Sequence, residues 1–392
     1  MPRGKNSKRR SSPPCRDSSL KRIEALTFLR FFVAFTVITY HFGDGVTGAF
    51  GEFAHHFAPR LMSFFFTLSG FVLTISYFEK PGFNIRQFYV ARLARVAPLY
   101  FLALALTIPF SYGEDIHTLT GLTLSATFLQ CWVHPYNISF NDPAWSVSVE
   151  IFFYAIFPLL IYVIRKRNLT PKSVLLIGLG VYFVTQAALI AFVNSPVFEP
   201  FPSWSYSLVY FFPLPHFCSF LLGIGAGMIY LRNRDRVMTD KVRSYGIVIT
   251  AFVVDYLVIQ YADLLSPLIG LDLPTYSSFH TLTQLTLILA IAFSDNGITR
   301  FLGWKPFAVL GGASYAIYVL QRPMAYVLRF VTRRLHAPPL THVEAFIFIT
   351  VVLLAVSLLS FYFLEPAGRK LVFQLDKWAQ QITARVFPRR TA

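Results

Sequence analysis

Five ionisable side chains of this sequence stand in or beside long apolar runs, where a buried charge is costly. Arg30 and His41 share one such run. The step of eleven residues from one to the other turns a helix through about 1100°, within about 20° of whole turns, so both lie on one stripe about 16 Å apart along the axis. An arginine inside a membrane span costs at least about 2.5–3.5 kcal/mol and normally faces water or protein. Such a stripe offers proton abstraction by His41 in a buried channel, with Arg30 beneath it. The plainer alternative is that Arg30 snorkels to the headgroups and His41 is an interfacial histidine. Glu150 follows Trp145 by five residues and precedes fourteen residues without a charge. It is either an anion favoured by a helix N-terminus or a carboxylate lining the same cavity as His41 and orienting or charging the imidazole.

Arg92 and Arg95 are three apart and neighbours on one helix face. They serve either as topology signals and lipid-phosphate contacts or as paired planar donors for a phosphorylated cofactor. No GxGxxG or Walker A loop accompanies them. Ser69-Gly70 and the series Gly223, Gly225, Gly227 read as sites of close helix packing rather than chemistry. His55 and His56 are adjacent and cannot share a helical face, so no metal site is expected from them.

The elements that must position these residues follow from composition. Of the 392 residues 55% are hydrophobic and 14% charged, with mean hydropathy +0.54. Apolar residues fall in blocks of about twenty, enough to cross about 30 Å of hydrocarbon as helix. A soluble enzyme, a disordered chain and a disulfide scaffold are excluded, and continuous rather than alternating apolar runs exclude a membrane β-barrel. The predicted architecture is an all-α polytopic membrane protein of ten transmembrane helices: 26–43, 61–78, 96–112, 145–164, 173–193, 208–230, 244–261, 276–294, 307–328 and 343–364. Residues 119–133 are apolar but short and Thr-rich, and read as a re-entrant or interfacial segment. Crossing fully would place Arg165-Lys166-Arg167 outside, against the positive-inside rule. With that segment folded back, both termini and most of the 35 Lys and Arg are cytoplasmic, in a plasma (inner) membrane. Residues 1–25 read as a disordered basic cytoplasmic tail, 26–364 as the membrane domain, and 365–392 as a second basic cytoplasmic tail. The net charge of +16 sits at the ends of apolar blocks, which argues for lipid and against nucleic acid as the partner. Cys15, Cys131 and Cys218 have neither disulfide nor zinc spacing.

Five blocks taken together carry a resemblance. They are Arg30 to His41, Phe64–Leu73 (FFFTLSGFVL), Tyr89–Tyr100 with its Arg-x-x-Arg, Trp145–Pro158 (WSVSVEIFFYAIFP) and 314–323 (SYAIYVLQRP). In this order and spacing the chain, from about 26 to 364, resembles the membrane-bound acyltransferase family 3, whose members O-acylate extracellular and cell-envelope sugars. The resemblance implies ten core spans, a cytoplasmic acyl-CoA donor (acetyl-CoA for an acetyl group), no metal, and a saccharide acceptor met at or beyond the outer face. It implies catalytic roles for His41, Arg30 and Glu150 and a donor-binding role for Arg92 and Arg95. One position departs from the pattern: Gln321 stands where many members carry histidine, which implies polar contact there rather than ionisation. The implied chemistry is removal of a sugar hydroxyl's proton by neutral imidazole as the oxygen attacks a thioester, or passage through an acyl-histidine. Two other readings remain open on the residues alone: O-acylation of a small molecule such as a macrolide, and a proton-coupled transporter using Arg30, His41 and Glu150 as a relay.

Overall fold

The computed structural model describes residues 16–43, 49–238 and 240–386, and among them the chain is helical with no strand. In chain order the helices are α1 (Arg16–Phe42), α2 (Ala49–Phe57), α3 (Met62–Tyr77), α4 (Ile85–Ser111), α5 (Leu119–Ala126), α6 (Trp145–Lys166), α7 (Pro171–Val193), α8 (Trp204–Tyr210), α9 (Pro213–Asn233), α10 (Lys241–Ile269), α11 (Thr281–Phe293), α12 (Gly297–Leu302), α13 (Lys305–Arg334), α14 (His342–Leu359) and α15 (Glu365–Val386). Each of the ten predicted segments is largely helical, although 208–230 is broken between α8 and α9 and 276–294 is helical only over Ser278–Phe293. Eight helical stretches among the described residues are long and apolar enough to cross a membrane. The apolar stretch Ser278–Phe293 is shorter, and α13, though 30 residues long, is less apolar and carries Arg322.

Two boundaries differ from the expectation. Residues 16–25 are the first turns of α1 rather than a disordered tail. The apolar pattern fades at 26, but the first strong helix breakers lie upstream at Pro13 and Pro14. Residues 1–15 and 387–392 lie outside the described residues. Residues 365–386 form α15, which runs along α4, with Asp376 ion-paired to Arg86 at 2.9 Å.

The re-entrant reading of 119–133 has a structural basis. Helix α5 has eight residues, about 12 Å of rise, against about 30 Å of hydrocarbon. Beyond it the chain turns back in short 3-10 segments, and hydrogen bonds tie it to α4 and α6. Tyr100 donates to the Ser125 carbonyl at 2.8 Å, Gln130 Nε2 to the Ala144 carbonyl at 3.2 Å, and Ser148 Oγ to the Phe128 carbonyl at 2.5 Å. Backbone groups leaving a helix inside an apolar slab need such partners.

Close approach of α3 and α9 depends on glycine. A Cβ on Gly70 would run into the Phe220 carbonyl, and one on Gly223 into the Thr67 carbonyl. These contacts settle the packing reading of Gly70 and Gly223 and bring α3 deep into the bundle, with Ser69 turned toward α6. Tyr315 on α13 donates to the Val96 carbonyl of α4 at 2.9 Å, joining the helices that carry the remaining site residues.

Candidate active site

Two cavities open within the bundle, and α1 contributes to both. The first, of about 110 Å³, is lined by Arg30 of α1, Ser69 of α3, Arg92 and Arg95 of α4, Glu150 and Tyr154 of α6, and Tyr315 and Tyr318 of α13. Glu150 is held as an acceptor: Tyr154 donates to its Oε1 at 2.5 Å and Ser69 Oγ at 3.3 Å. Arg92 donates from Nη2 to the Tyr77 hydroxyl at 3.0 Å, and its guanidinium stands 5.3 Å from the Tyr77 ring centre and 5.9 Å from that of Tyr154. Its Nε is buried with no hydrogen-bond partner. Arg95 donates to Glu365 Oε2 at 2.7 Å; that carboxylate is 7% exposed, and its other oxygen has no partner. Three guanidiniums against Glu150 and Glu365, with one buried N–H unsatisfied, make a cavity that fits an anionic group.

The second cavity, of about 570 Å³, is lined by His41 at the last turn of α1, by Asp142, and by Arg322 of α13. Tyr40, Trp145, Tyr206, Tyr210 and Tyr276 give it aromatic walls. Arg322 Nε donates to both oxygens of Asp142, at 2.7 and 2.9 Å, and Nη2 reaches Oδ2 at 2.7 Å. The same Nη2 lies 3.2 Å from His41 Nδ1, and Asp142 Oδ2 lies 3.8 Å from that nitrogen. Arginine only donates, so in this arrangement Nδ1 is the acceptor and the neutral ring carries its hydrogen on Nε2.

A family model for an acyltransferase domain matches residues 23–363. The chain belongs to this acyltransferase family.

Relatives of this acyltransferase are distant. The YrhL protein of Bacillus subtilis is 25% identical over 374 residues, 88% of this chain and 55% of that protein. A peptidoglycan O-acetyltransferase, OatA, of Listeria monocytogenes is 24% identical over 338 residues, 78% of this chain and 50% of its own length. The acyltransferase MdmB of Streptomyces mycarofaciens is 33% identical over 159 residues, covering 37% of this chain and 41% of that one. The chain thus spans about half the length of these curated relatives. No solved structure matches it.

The structure gathers Arg30, Arg92, Arg95 and Glu150 on one cavity and places His41 on the other. The expectation that Glu150 shares a cavity with His41 is therefore corrected. Trp145, on the first turn of α6, faces the larger cavity. Glu150 lies five residues further, about 7.5 Å along the axis and rotated by about 140°. Sequence reasoning assigned no role to Asp142, Arg322, Tyr154, Tyr318 or Glu365. Arg322 was within reach of the reasoning used for Arg30, because it is a cation inside the apolar segment 307–328. Gln321 is fully buried, with Nε2 donating to the Tyr318 carbonyl at 2.8 Å, and it lines neither cavity. His55 lines the larger cavity, while His56 Nε2 lies 2.9 Å from the Ile259 carbonyl.

Proposed function

We propose that the protein is an O-acyltransferase that moves an acetyl group from acetyl-CoA, bound at the arginine-lined cavity, to a hydroxyl of a cell-envelope or exported saccharide held in the cavity of His41. The observation that carries this reading is the division of labour between the cavities. One concentrates Arg30, Arg92 and Arg95 around a buried, unpartnered N–H. The other surrounds an imidazole with a carboxylate and with aromatic rings suited to the flat faces of a sugar. The peptidoglycan O-acetyltransferase among the relatives supports a glycan acceptor. The positive-inside distribution supports a plasma-membrane protein with the Arg92–Arg95 end in the cytoplasm and the His41 end outward.

In this reading Arg92 and Arg95 bind phosphate as planar donors, which a point charge imitates poorly. His41 receives the acceptor's hydroxyl proton at Nε2 while the hydroxyl oxygen forms the new ester bond to the thioester carbon. The carbon–sulfur bond breaks, and the CoA thiolate recovers a proton from the imidazolium. To accept at Nε2, His41 must carry its other hydrogen on Nδ1 and turn it from Arg322 to Asp142, whose carboxylate then balances the imidazolium. Arg322 holds that carboxylate in place through its forked contact.

The test is transfer of radiolabelled acetyl from acetyl-CoA by the purified protein in lipid vesicles, with a peptidoglycan disaccharide fragment and an exported polysaccharide as acceptors. Deletion of the gene with mass analysis of envelope and exported glycans complements it. Label appearing in ester linkage on a saccharide is the expected result. Thiol release with no label on any glycan would overturn the assignment of the acceptor, and absence of donor turnover would overturn the whole reading.

A further inference from the structure

Among the described residues, Tyr318 alone lines both cavities. Its hydroxyl accepts a hydrogen bond from Ser146 Oγ at 2.9 Å, and Ser146 lines the small cavity directly beside Trp145, which lines the large one. The Phe65 ring meets the Tyr318 ring edge-on, with centres 5.9 Å apart, and completes the layer. Two further contacts close the same seam between α13 and the start of α6. Asn141 Nδ2 donates to the Val319 carbonyl at 2.9 Å, and Arg322 forks onto Asp142. The backbones are therefore stitched on one side of Tyr318, while the partition itself is a single layer of side chains. Its polar member is a neutral hydroxyl pair, weaker than the contacts beside it, which are charge-assisted or made to backbone.

His41 and the three arginines lie on opposite sides of this layer. Group transfer needs the reacting atoms brought to about 3–3.5 Å of one another. One substrate must cross the partition. The cavity on the arginine side is only about 110 Å³, and Leu68, Val72 and Val147 are among its lining residues, which suits a short apolar group and not a sugar. We propose that the acyl group crosses between Tyr318 and Ser146, and that the Tyr318 ring sets the length of acyl chain the protein transfers. This rests on the reading of the two cavities as donor and acceptor sites. The closed hydroxyl pair also keeps water of the larger cavity from the thioester. When it is open and empty, water adds to the thioester carbon, the carbon–sulfur bond breaks, and free carboxylate and CoA thiol leave.

The experiment measures CoA thiol release in vesicles from acetyl-CoA and butyryl-CoA, with and without a peptidoglycan disaccharide acceptor, for wild type, Tyr318→Ala and Tyr318→Phe. An apolar pocket discriminates by about tenfold or more per methylene, so Tyr318→Ala should raise the butyryl-to-acetyl ratio at least about tenfold. It should also raise thiol release in the absence of acceptor. Tyr318→Phe keeps the ring and should hold the ratio within about twofold of wild type, a change well below one methylene's worth. Tyr318→Leu, which keeps an apolar side chain of intermediate size, should move the ratio in the same direction and serves if the alanine variant fails to accumulate. An unchanged ratio in the alanine and leucine variants, or an equal change in the phenylalanine variant, would overturn the gate while leaving the acyltransferase reading intact. No thiol release by wild type from either donor would overturn both.

Discussion

The two ends of one stripe on α1 live in opposite surroundings. Arg30 opens onto a small cavity shared with two more arginines, where hydroxyls of Tyr154 and Ser69 hold the Glu150 carboxylate. His41 opens onto a cavity about five times larger, where a carboxylate and an arginine meet at its Nδ1. The first is built to hold an anion still; the second leaves room for a bulky neutral partner and supplies a group that can change protonation. A shared helical face therefore says nothing of a shared role. Position along the axis decides which neighbouring side chains supply the environment, and about 16 Å of rise is enough to exchange all of them except Tyr318.

The sharpest way to break the contrast is His41→Ala. If only the larger cavity handles protons, transfer should fall by about 10²–10⁴-fold, the usual worth of a general base. Donor binding, followed by titration with labelled acetyl-CoA, should stay as in wild type. A near-normal transfer rate would remove His41 from the chemistry. Next in size come Arg92→Ala and Arg95→Ala. Each removes charge-assisted hydrogen bonds of ~1.5–3 kcal/mol, so the donor KM should rise roughly 10- to 100-fold while the acceptor KM holds. Lysine at either position should restore only part of the affinity, since it keeps the charge but not the planar fork. Equal changes in both KM values would mean that the cavities do not divide the substrates.

Asp142→Asn gives a smaller effect and sharpens the picture of the larger cavity. The pair with Arg322 is partly exposed, with Asp142 at 26%, so its loss should hardly alter the amount of folded protein. What it removes is the partner of the imidazolium, and kcat should fall about tenfold, or ~1.4 kcal/mol, with donor KM unchanged. A fall in KM alone, or none in kcat, would confine Asp142 to structure.

The smallest effect concerns the segment that carries Asp142. His117 Nδ1 accepts from the Phe140 N–H at 2.8 Å, and burial holds this histidine's pKa below its ordinary 6.5 despite nearby Glu114, Asp115 and Asp142. The folded state thus favours the neutral ring. Its contribution is complete above about pH 6.5 and is lost as pH falls toward the lowered value, because the unfolded segment binds the proton more readily. Hydrogen exchange at the Phe140 amide, corrected for the intrinsic rate, should accelerate between pH 7.5 and 5. A flat profile would show that the contact does not hold the segment.

Much of the fold was legible because its signals are local. Runs of about twenty apolar residues, the brevity of 119–133 and the placement of lysines and arginines each depend on a single segment. The stripe of Arg30 and His41 was legible for the same reason. What the sequence left out was pairing at a distance. Arg322 and Asp142 are 180 positions apart and Arg95 and Glu365 are 270, and nothing in either local pattern names the partner. Glu150 was assigned to the wrong cavity because its neighbours depend on which face of α6 meets α1 and α4. Tyr154 and Tyr318 were lost among twenty tyrosines in a chain where aromatic residues mostly fill space.

Helix α15 brings a practical consequence. Its first residue grips Arg95 and its Asp376 grips Arg86, so two turns of α4 are splinted by a helix that follows them by 270 to 290 positions. The chain enters that splint through a single π turn, Ser360–Leu364. A chimera that exchanges the last helix with that of a relative, or a fusion joined near residue 364, would shift an arginine of the small cavity without altering any residue that lines it. Differences in donor preference among such chimeras would then report on leverage transmitted through α4 rather than on the grafted helix itself.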